Sequence, residues 1–203
     1  MTRLSIHLLG PFHVTLDGEP VTGFEPNKVR ALLSFLALEA GRPHTRDALI
    51  GLLWPDQPER AARRNLSQAL FNLRQAIHDD VASCFLHITR ETIQFNAESD
   101  YWLDARAFAE HLAAVQAHPH PGLATCELCI QHLEQTADLY AGEFLAGLFV
   151  DDSAAFSEWA TLLRERLHRQ VLDALYQLTE HHARRRDYAR ALHCARRQVE
   201  LEP

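Results

Sequence analysis

The sequence predicts a mainly α-helical protein with small β-sheets, in which a mixed N-terminal domain precedes an all-helical domain. Two observations lead to this prediction. Short segments with strand-like composition occur before residue 97, where they flank three helical patterns. From Tyr101 onward, helix formers dominate and strand signals are absent. We therefore expect domains at residues 1–97 and 98–203, with a boundary near residues 96–102.

The first residues favour strands. Residues 4–8 (LSIHL) and 12–16 (FHVTL) are separated by Gly10-Pro11 and closed by Asp17-Gly18. Glycine, proline and aspartate in such pairs are typical of turns. We expect two strands joined by a turn, followed by a short third strand near residues 20–21.

Three helices are expected next. The first begins at Pro26-Asn27 and carries an apolar stripe that ends at Gly41, a suitable C-cap. Thr45 is suited to cap a second helix, which continues to Trp54. Prolines then interrupt the pattern, and a third helix is predicted for residues 58–79 (PERAARRNLSQALFNLRQAIHD).

The third helix has two chemically distinct faces. At about 100° per residue, its apolar residues gather on one side and its basic and amide residues on the other. The border between the faces carries Arg63 and Arg74. An ordinary solvated surface helix shows the same division, so the pattern alone leaves both interpretations open. The apolar set is Ala62, Leu66, Ala69, Leu70, Leu73 and Ile77, and the polar set is Arg60, Arg64, Ser67, Gln68, Phe71, Asn72 and Gln75.

Residues 85–95 (FLHITRETIQF) predict a β-hairpin that turns at Arg90-Glu91. Strands, three helices and a hairpin together are typical of a winged helix-turn-helix, whose third helix reads DNA. Arg64 and Gln68 are then the best candidates for contacts to base edges, and Arg90 suits the neighbouring minor groove. Phe71 either touches a thymine methyl or packs against the hairpin or another protein. The predicted DNA-binding set is Arg60, Arg63, Arg64, Ser67, Gln68, Phe71, Asn72, Arg74 and Arg90.

The second half predicts helices that pack in antiparallel pairs. Its Leu-Glu-Pro ending resembles the end of a tetratricopeptide (TPR) unit, so we expect a TPR-like domain that is truncated at its C-terminus. His181 and His182 lie on a charged helix end, where solvated side chains are expected. The predicted helices are at about residues 104–117, 125–140 and 153–184, with a last helix after the turn at residues 185–187.

Composition restricts the compartment and the partners. Up to residue 97 the chain carries ten basic and ten acidic residues, whereas the remainder carries ten basic and 17 acidic residues and accounts for the net charge of −7. DNA binding would thus depend on locally clustered arginines. The chain shows no signal peptide and no apolar run long enough for a membrane span. We expect a soluble cytoplasmic protein with reduced cysteines.

The sequence contains few patterns typical of catalysis or of cofactor binding. The sequence contains no GxxxxGK[ST], HExxH or GxSxG motif, so we expect no catalytic residues and no enzymatic activity. A cofactor is not expected either. The one alternative is a zinc ion held by His118, His120, Cys126 and Cys129, because thiolates and imidazoles at such spacing can bind zinc. The competing interpretation is that these cysteines are ordinary buried or idle thiols.

Several segments, in order, resemble the Streptomyces antibiotic regulatory protein (SARP) family. Its OmpR-type winged helix is similar to LGPFHVTLDGEPV and KVRALLSFLALEAGRPHTRDALIGLLWPD, and its bacterial transcriptional activator domain to WLDARAFAEHL, LYAGEFLAGL and FSEWATLLRERLHRQVLDAL. The resemblance implies a regulator that binds direct-repeat promoter sites, often as two or more molecules. It also implies that residues 54–59 lie near RNA polymerase and that the helical domain makes protein contacts.

A second class of function remains open at this point. Because the first 97 residues are electrically neutral, the winged helix could have become a structural module in a protein-interaction adaptor. In that case the helical domain would be the working part.

Overall fold

The computed structural model describes residues 3–81, 83–119 and 123–202. Its order of elements confirms the predicted fold class, with strands, three helices and a hairpin before the helical domain. The strands are β1 (Leu4–His7), β2 (His13–Leu16), β3 (Glu19–Pro20), β4 (His44–Thr45), β5 (Leu86–Ile88), β6 (Thr92–Phe95) and β7 (Tyr101–Leu103). The helices are α1 (Asn27–Leu38), α2 (Arg46–Leu53), α3 (Glu59–Ala76), α4 (Asp104–Ala117), α5 (Glu127–Leu139), α6 (Ala154–Arg184) and α7 (Tyr188–Leu201).

The N-terminal sheet has the strand order β3-β2-β1-β7. β1 pairs antiparallel with β2 and parallel with β7, with Leu4 opposite Tyr101 and Ile6 opposite Leu103. The expectation that no strand occurs from Tyr101 onward is therefore wrong. Three residues are too few to show an alternating pattern, and β7 is defined by a partner almost a hundred residues earlier in the chain.

A second sheet, of order β4-β6-β5, forms the wing. The predicted hairpin is confirmed as β5 and β6, and the two-residue strand β4 adds to it just before α2. Thr45 caps α2 as predicted, because its Oγ1 accepts a hydrogen bond from the amide of Ala48 at 3.2 Å. The wing is thus fastened to the start of α2.

The apolar face of α3 forms part of the core. Every residue of its predicted apolar set is at most 4% exposed. The helix is shorter than predicted, ending at Ala76 with Ile77 as its C-cap, because His78 adopts the left-handed conformation (φ 52°) and turns the chain away from the helix axis. α1 and α2 bury their own apolar faces against it, including Leu32, Leu36 and Leu49.

The second half consists of two helical pairs, α4 with α5 and α6 with α7, and α5 also packs against α6. The prediction that His181 and His182 are solvated is wrong, since each is only 5% exposed. The two residues lie where α6 packs against α5 and α7, and His182 Nε2 is 3.7 Å from a carboxylate oxygen of Glu134 on α5. Burial lowers the pKa of His182, and its neighbour His181 lowers it further. No helix within the described part of the chain is long and apolar enough to cross a bilayer.

One buried carboxylate joins the two halves. Asp104 Oδ2 accepts hydrogen bonds from the amides of Leu8 and Leu9 at 2.7 and 2.8 Å, and Oδ1 accepts one from the amide of Ala105. The side chain is 2% exposed, and burial raises its pKa to about 6 although the three amide hydrogen bonds lower it. The first residue of α4 is in this way fixed to the end of β1.

Other contacts hold α6 against the three-helix core. Ser153 Oγ donates a hydrogen bond to the carbonyl of Leu53 at 2.7 Å, and the rings of Phe35 and Trp159 meet edge to face with centroids 5.2 Å apart. Since these contacts connect α2 and α1 with the start of α6, they orient the winged helix relative to the helical domain.

Replacing Asp104 with asparagine tests this connection. An amide nitrogen would face a backbone N–H donor, so we expect Asp104→Asn to lower the free energy of unfolding at neutral pH by about 1–3 kcal/mol. The folded-state pKa is raised above the unfolded value, so the carboxyl favours folding most below pH 4, and this contribution is lost as pH rises through 6. The difference between wild type and variant should therefore shrink from pH 4 to pH 6.5.

Urea unfolding at several pH values measures this difference, with the exposed Asp100→Asn as the control. A difference in unfolding free energy that stays constant or grows between pH 4 and pH 6.5 would contradict the raised pKa of the buried Asp104 carboxyl.

Candidate nucleic-acid interface

The outward face of α3 is the predicted polar face. Six of its seven residues are exposed, and the seventh, Asn72, is half-buried. The exposed residues are Arg60, Arg64, Ser67, Gln68, Phe71 and Gln75. The division into a core face and a solvent face is therefore as predicted. Because the apolar face is anchored in the core, the polar side chains extend from a helix that cannot rotate about its axis.

The arginines of this face differ in their partners. Within residues 3–81, 83–119 and 123–202, Arg60 and Arg64 make no ion pair. Arg63 Nη2 lies 3.0 Å from carboxylate oxygens of both Glu59 and Asp47. These exposed pairs contribute little stability, so a phosphate can replace them, but they reduce the local positive charge. Asp47 is a neighbour that the sequence analysis did not consider.

Arg74 is bound more firmly. Its Nε lies 2.7 Å from Asp79 Oδ2, and its Nη2 donates a hydrogen bond to the Asp79 carbonyl at 3.1 Å. The other carboxylate oxygen of this buried aspartate accepts hydrogen bonds from the amides of Phe85 and Leu86 at 2.7 and 3.0 Å. The pair therefore joins the end of α3 to the beginning of the wing, a function that sequence analysis assigned to neither residue.

The tip of the wing is fixed by Arg46, which sequence analysis also did not include. Its guanidinium donates two hydrogen bonds to the carbonyl of Thr89, at 3.1 and 3.3 Å, and its amide donates one to the carbonyl of Glu91. Thr89 Oγ1 closes the turn by accepting hydrogen bonds from the amides of Glu91 and Thr92. Arg90 lies in this turn with its side chain exposed.

A groove of about 340 Å³ lies between α3 and the wing. Phe71 and Ile88 line it from opposite elements, but Phe71 is still 59% exposed. The ring thus shares a groove with the wing without being covered by it. Its large exposed surface remains available to a ligand or a partner.

Two amides at the centre of the face are held together. Gln68 Nε2 donates a hydrogen bond to Asn72 Oδ1 at 2.9 Å, and Asn72 Nδ2 in turn reaches the carbonyl of Glu25 at 3.5 Å. Gln68 keeps its carbonyl oxygen and one N–H for a base edge. The chain of hydrogen bonds restricts the rotamers of both side chains before any ligand binds.

The helical domain contains a group of residues whose side chains can bind a metal ion. The ligand atoms of His118, Cys126 and Cys129 lie within 4.8 Å of one another. His120, the fourth member of the predicted zinc set, lies outside the described residues. This group is at the far end of α4 from the winged helix.

Comparisons with known proteins show what the chain resembles. A family model for the bacterial transcriptional activator domain matches residues 103–203. The transcriptional regulatory protein EmbR of Mycobacterium tuberculosis, like that of Mycobacterium bovis, is 41% identical over 75 residues, which are 37% of this chain and 19% of EmbR. The structure of M. tuberculosis EmbR in complex with a low-affinity phosphopeptide matches with a TM-score of 0.66 and 25% identity, over 98% of this chain and 59% of that one. Both the matched domain and EmbR are named as transcriptional regulators, the class of protein that the SARP-like segments of the sequence predict.

These matches support the family resemblance seen in the sequence, because they join a bacterial transcriptional activator domain to a transcriptional regulatory protein of similar fold. The sequence alignment covers only about a fifth of the relatives' length. The structural match does, however, extend through both the winged helix and the helical domain.

A stability measurement separates the structural arginine from the exposed one. Arg74→Ala removes the cation from a buried, hydrogen-bonded carboxylate, and we expect it to lower the free energy of unfolding by about 1–3 kcal/mol. Arg64→Ala, on the exposed face of the same helix, should change it by less than about 0.5 kcal/mol. Urea titration of both variants checks this expectation, and equal effects would contradict the role given to Arg74.

Proposed function

We propose that this protein is a cytoplasmic, sequence-specific DNA-binding transcriptional regulator, acting as an activator at direct-repeat promoter sites. One observation carries the proposal: α3 presents Arg60 and Arg64, which make no ion pair within the described residues, beside a wing whose tip exposes Arg90. Similarity to transcriptional regulators supports it.

The face of α3 suits the major groove of DNA. That groove admits one α-helix, and its base edges carry donors and acceptors that arginine and amide side chains can match. In our proposal Arg64 pairs with a guanine edge and Gln68 with an adenine edge. Phe71, which is mostly exposed, contacts a thymine methyl group, and Asn72 and Ser67 flank these contacts.

The remaining arginines bind phosphate and the minor groove. Arg60 and Arg63 extend toward the backbone from the first turns of α3, while Arg90 enters the adjacent minor groove. Arg74 approaches the backbone only as far as its pairing with Asp79 allows, so we give it mainly a positioning role. Arg46 and the Thr89 turn hold Arg90 at a fixed place relative to α3.

The charge balance favours cooperation between molecules. With few basic residues and with Asp47 and Glu59 beside Arg63, one winged helix releases few counterions and binds with a shallow salt dependence. A second molecule on an adjacent repeat adds affinity through linked binding. Residues 55–58, between α2 and α3, are exposed, and the family resemblance assigns this loop to contact with RNA polymerase.

The alternative is a protein-interaction adaptor that does not bind DNA. The neutral charge of the first 97 residues and the exposed apolar groove around Phe71 favour it. Binding of selected promoter fragments at two salt concentrations distinguishes the functions. Specific binding that weakens with salt supports the regulator, whereas no binding at low salt supports the adaptor.

Single arginine variants test the assignment of roles. We expect Arg64→Ala to weaken binding to a selected cognate site by about 1–3 kcal/mol, with loss of preference at one base position. Arg63→Ala should weaken binding to all sequences alike and flatten the salt dependence.

The control is Arg196→Ala, which removes an exposed arginine from α7 and should leave binding unchanged. Fluorescence anisotropy with cognate and scrambled duplexes measures all three variants. Cognate affinity equal to wild type for Arg64→Ala would remove this residue from base reading.

A further inference from the structure

The end of the α4–α5 pair brings together three side chains that ligate soft metals. His118 is the C-cap of α4, Cys126 is the N-cap of α5, and Cys129 lies in the first turn of α5. Their ligand atoms lie within 4.8 Å of one another. We propose that these three residues bind one zinc ion, which fastens the end of α4 to the beginning of α5.

The donor atoms and their arrangement fit zinc. Zinc–thiolate and zinc–imidazole bonds of about 2.3 and 2.0 Å place tetrahedral ligands roughly 3.5–3.8 Å apart. The observed separations, all within 4.8 Å, exceed those distances by only about an ångström. Two thiolates and one imidazole are a typical zinc set, and hard cations such as magnesium prefer oxygen. Binding releases the protons of the two thiols.

Burial also distinguishes this group from ordinary core thiols. Cys129 is fully buried and forms the base of the site, while His118 and Cys126 are half-buried and leave a path for the ion. The buried thiolate of Cys129 requires a compensating charge, which a divalent ion supplies. The site is therefore closed to solvent at Cys129 and accessible to an ion at His118 and Cys126.

The position of the ion explains what it would stabilise. α5 begins with Glu127, which pairs with Arg185 in the turn between α6 and α7. An ion at Cys126 and Cys129 would therefore fix three helix ends at one end of the helical domain. Asp104, at the other end of α4, lies roughly 20 Å away, because an α-helix rises 1.5 Å per residue. The ion should change the stability of the helical domain and leave DNA binding by α3 unchanged.

The test uses the whole 203-residue chain, reduced and freed of metal with a chelator. We expect it to bind one zinc ion per chain after gel filtration, measured by elemental analysis. Cobalt(II) in place of zinc should give thiolate-to-metal charge-transfer absorption together with the visible bands of tetrahedral cobalt. Zinc should also raise the midpoint of thermal unfolding by several degrees.

Variants identify the ligands. Cys126→Ser and His118→Asn should each weaken zinc binding at least tenfold and abolish the thermal shift. The matched controls, Cys84→Ser in the wing and His193→Asn on α7, replace exposed residues and should bind zinc like the wild type. Circular dichroism of the metal-free variants shows that they are folded.

Three results would overturn the proposal. The first is zinc well below one equivalent in the reduced wild-type chain, and the second is unchanged binding in both ligand variants. The third is a Cys126–Cys129 disulfide in the freshly isolated chain, detected as a mass two hydrogens lower, whose reduction gives thiols that do not bind metal. None of these results would affect binding of DNA, so failure here is distinguishable from failure of the proposed regulator.

Discussion

The parallel pairing of β1 with β7 is the constraint on which the rest of the molecule depends. Parallel neighbours cannot be joined by a tight turn, and here the whole winged helix forms the connection between them. Both ends of that domain are consequently held in one sheet, and the Asp104 carboxylate binds the amides that follow β1. The helical domain begins with α4 at Asp104 itself, directly after β7, so hydrogen bonds connect it to the winged helix instead of a flexible linker.

Several arginines near the exposed face of α3, which we propose reads DNA, are held by acceptors within the protein. Arg74 is paired with a buried aspartate, Arg63 with two exposed acids, and Arg46 with the carbonyl at the tip of the wing. The Arg74 pair joins α3 to the wing, and the Arg46 hydrogen bonds join the start of α2 to the tip of the wing. Few guanidinium groups then remain for the DNA binding that we propose. A neutral domain can then be selective, because directional hydrogen bonds to bases give specificity without a large nonspecific attraction to phosphate.

The sequence predicted what local patterns determine. Periodicity defined the buried face of α3, Thr45 defined the start of α2, and alternation defined the wing. What it did not predict arises from contacts between elements or from an irregular turn of the backbone. β7 exists because of a partner near the N-terminus, His181 and His182 are buried because two other helices pack there, and the pairing of Arg74 with Asp79 depends on the left-handed turn at His78. The roles of individual arginines in DNA binding stay predictions.

Directed cleavage of bound DNA tests the central claim, that α3 and the wing tip bind in two different grooves of the same DNA site. An iron chelate attached at Gln68→Cys or at Arg90→Cys, in a Cys84→Ser background, generates hydroxyl radicals at a known place on the protein. The account predicts that a chelate at position 68 cuts the two DNA strands with the stagger typical of the major groove. A chelate at position 90 should cut them with the opposite stagger, typical of the neighbouring minor groove. Cleavage no greater than that of free reagent, or the same offset from both positions, would contradict it.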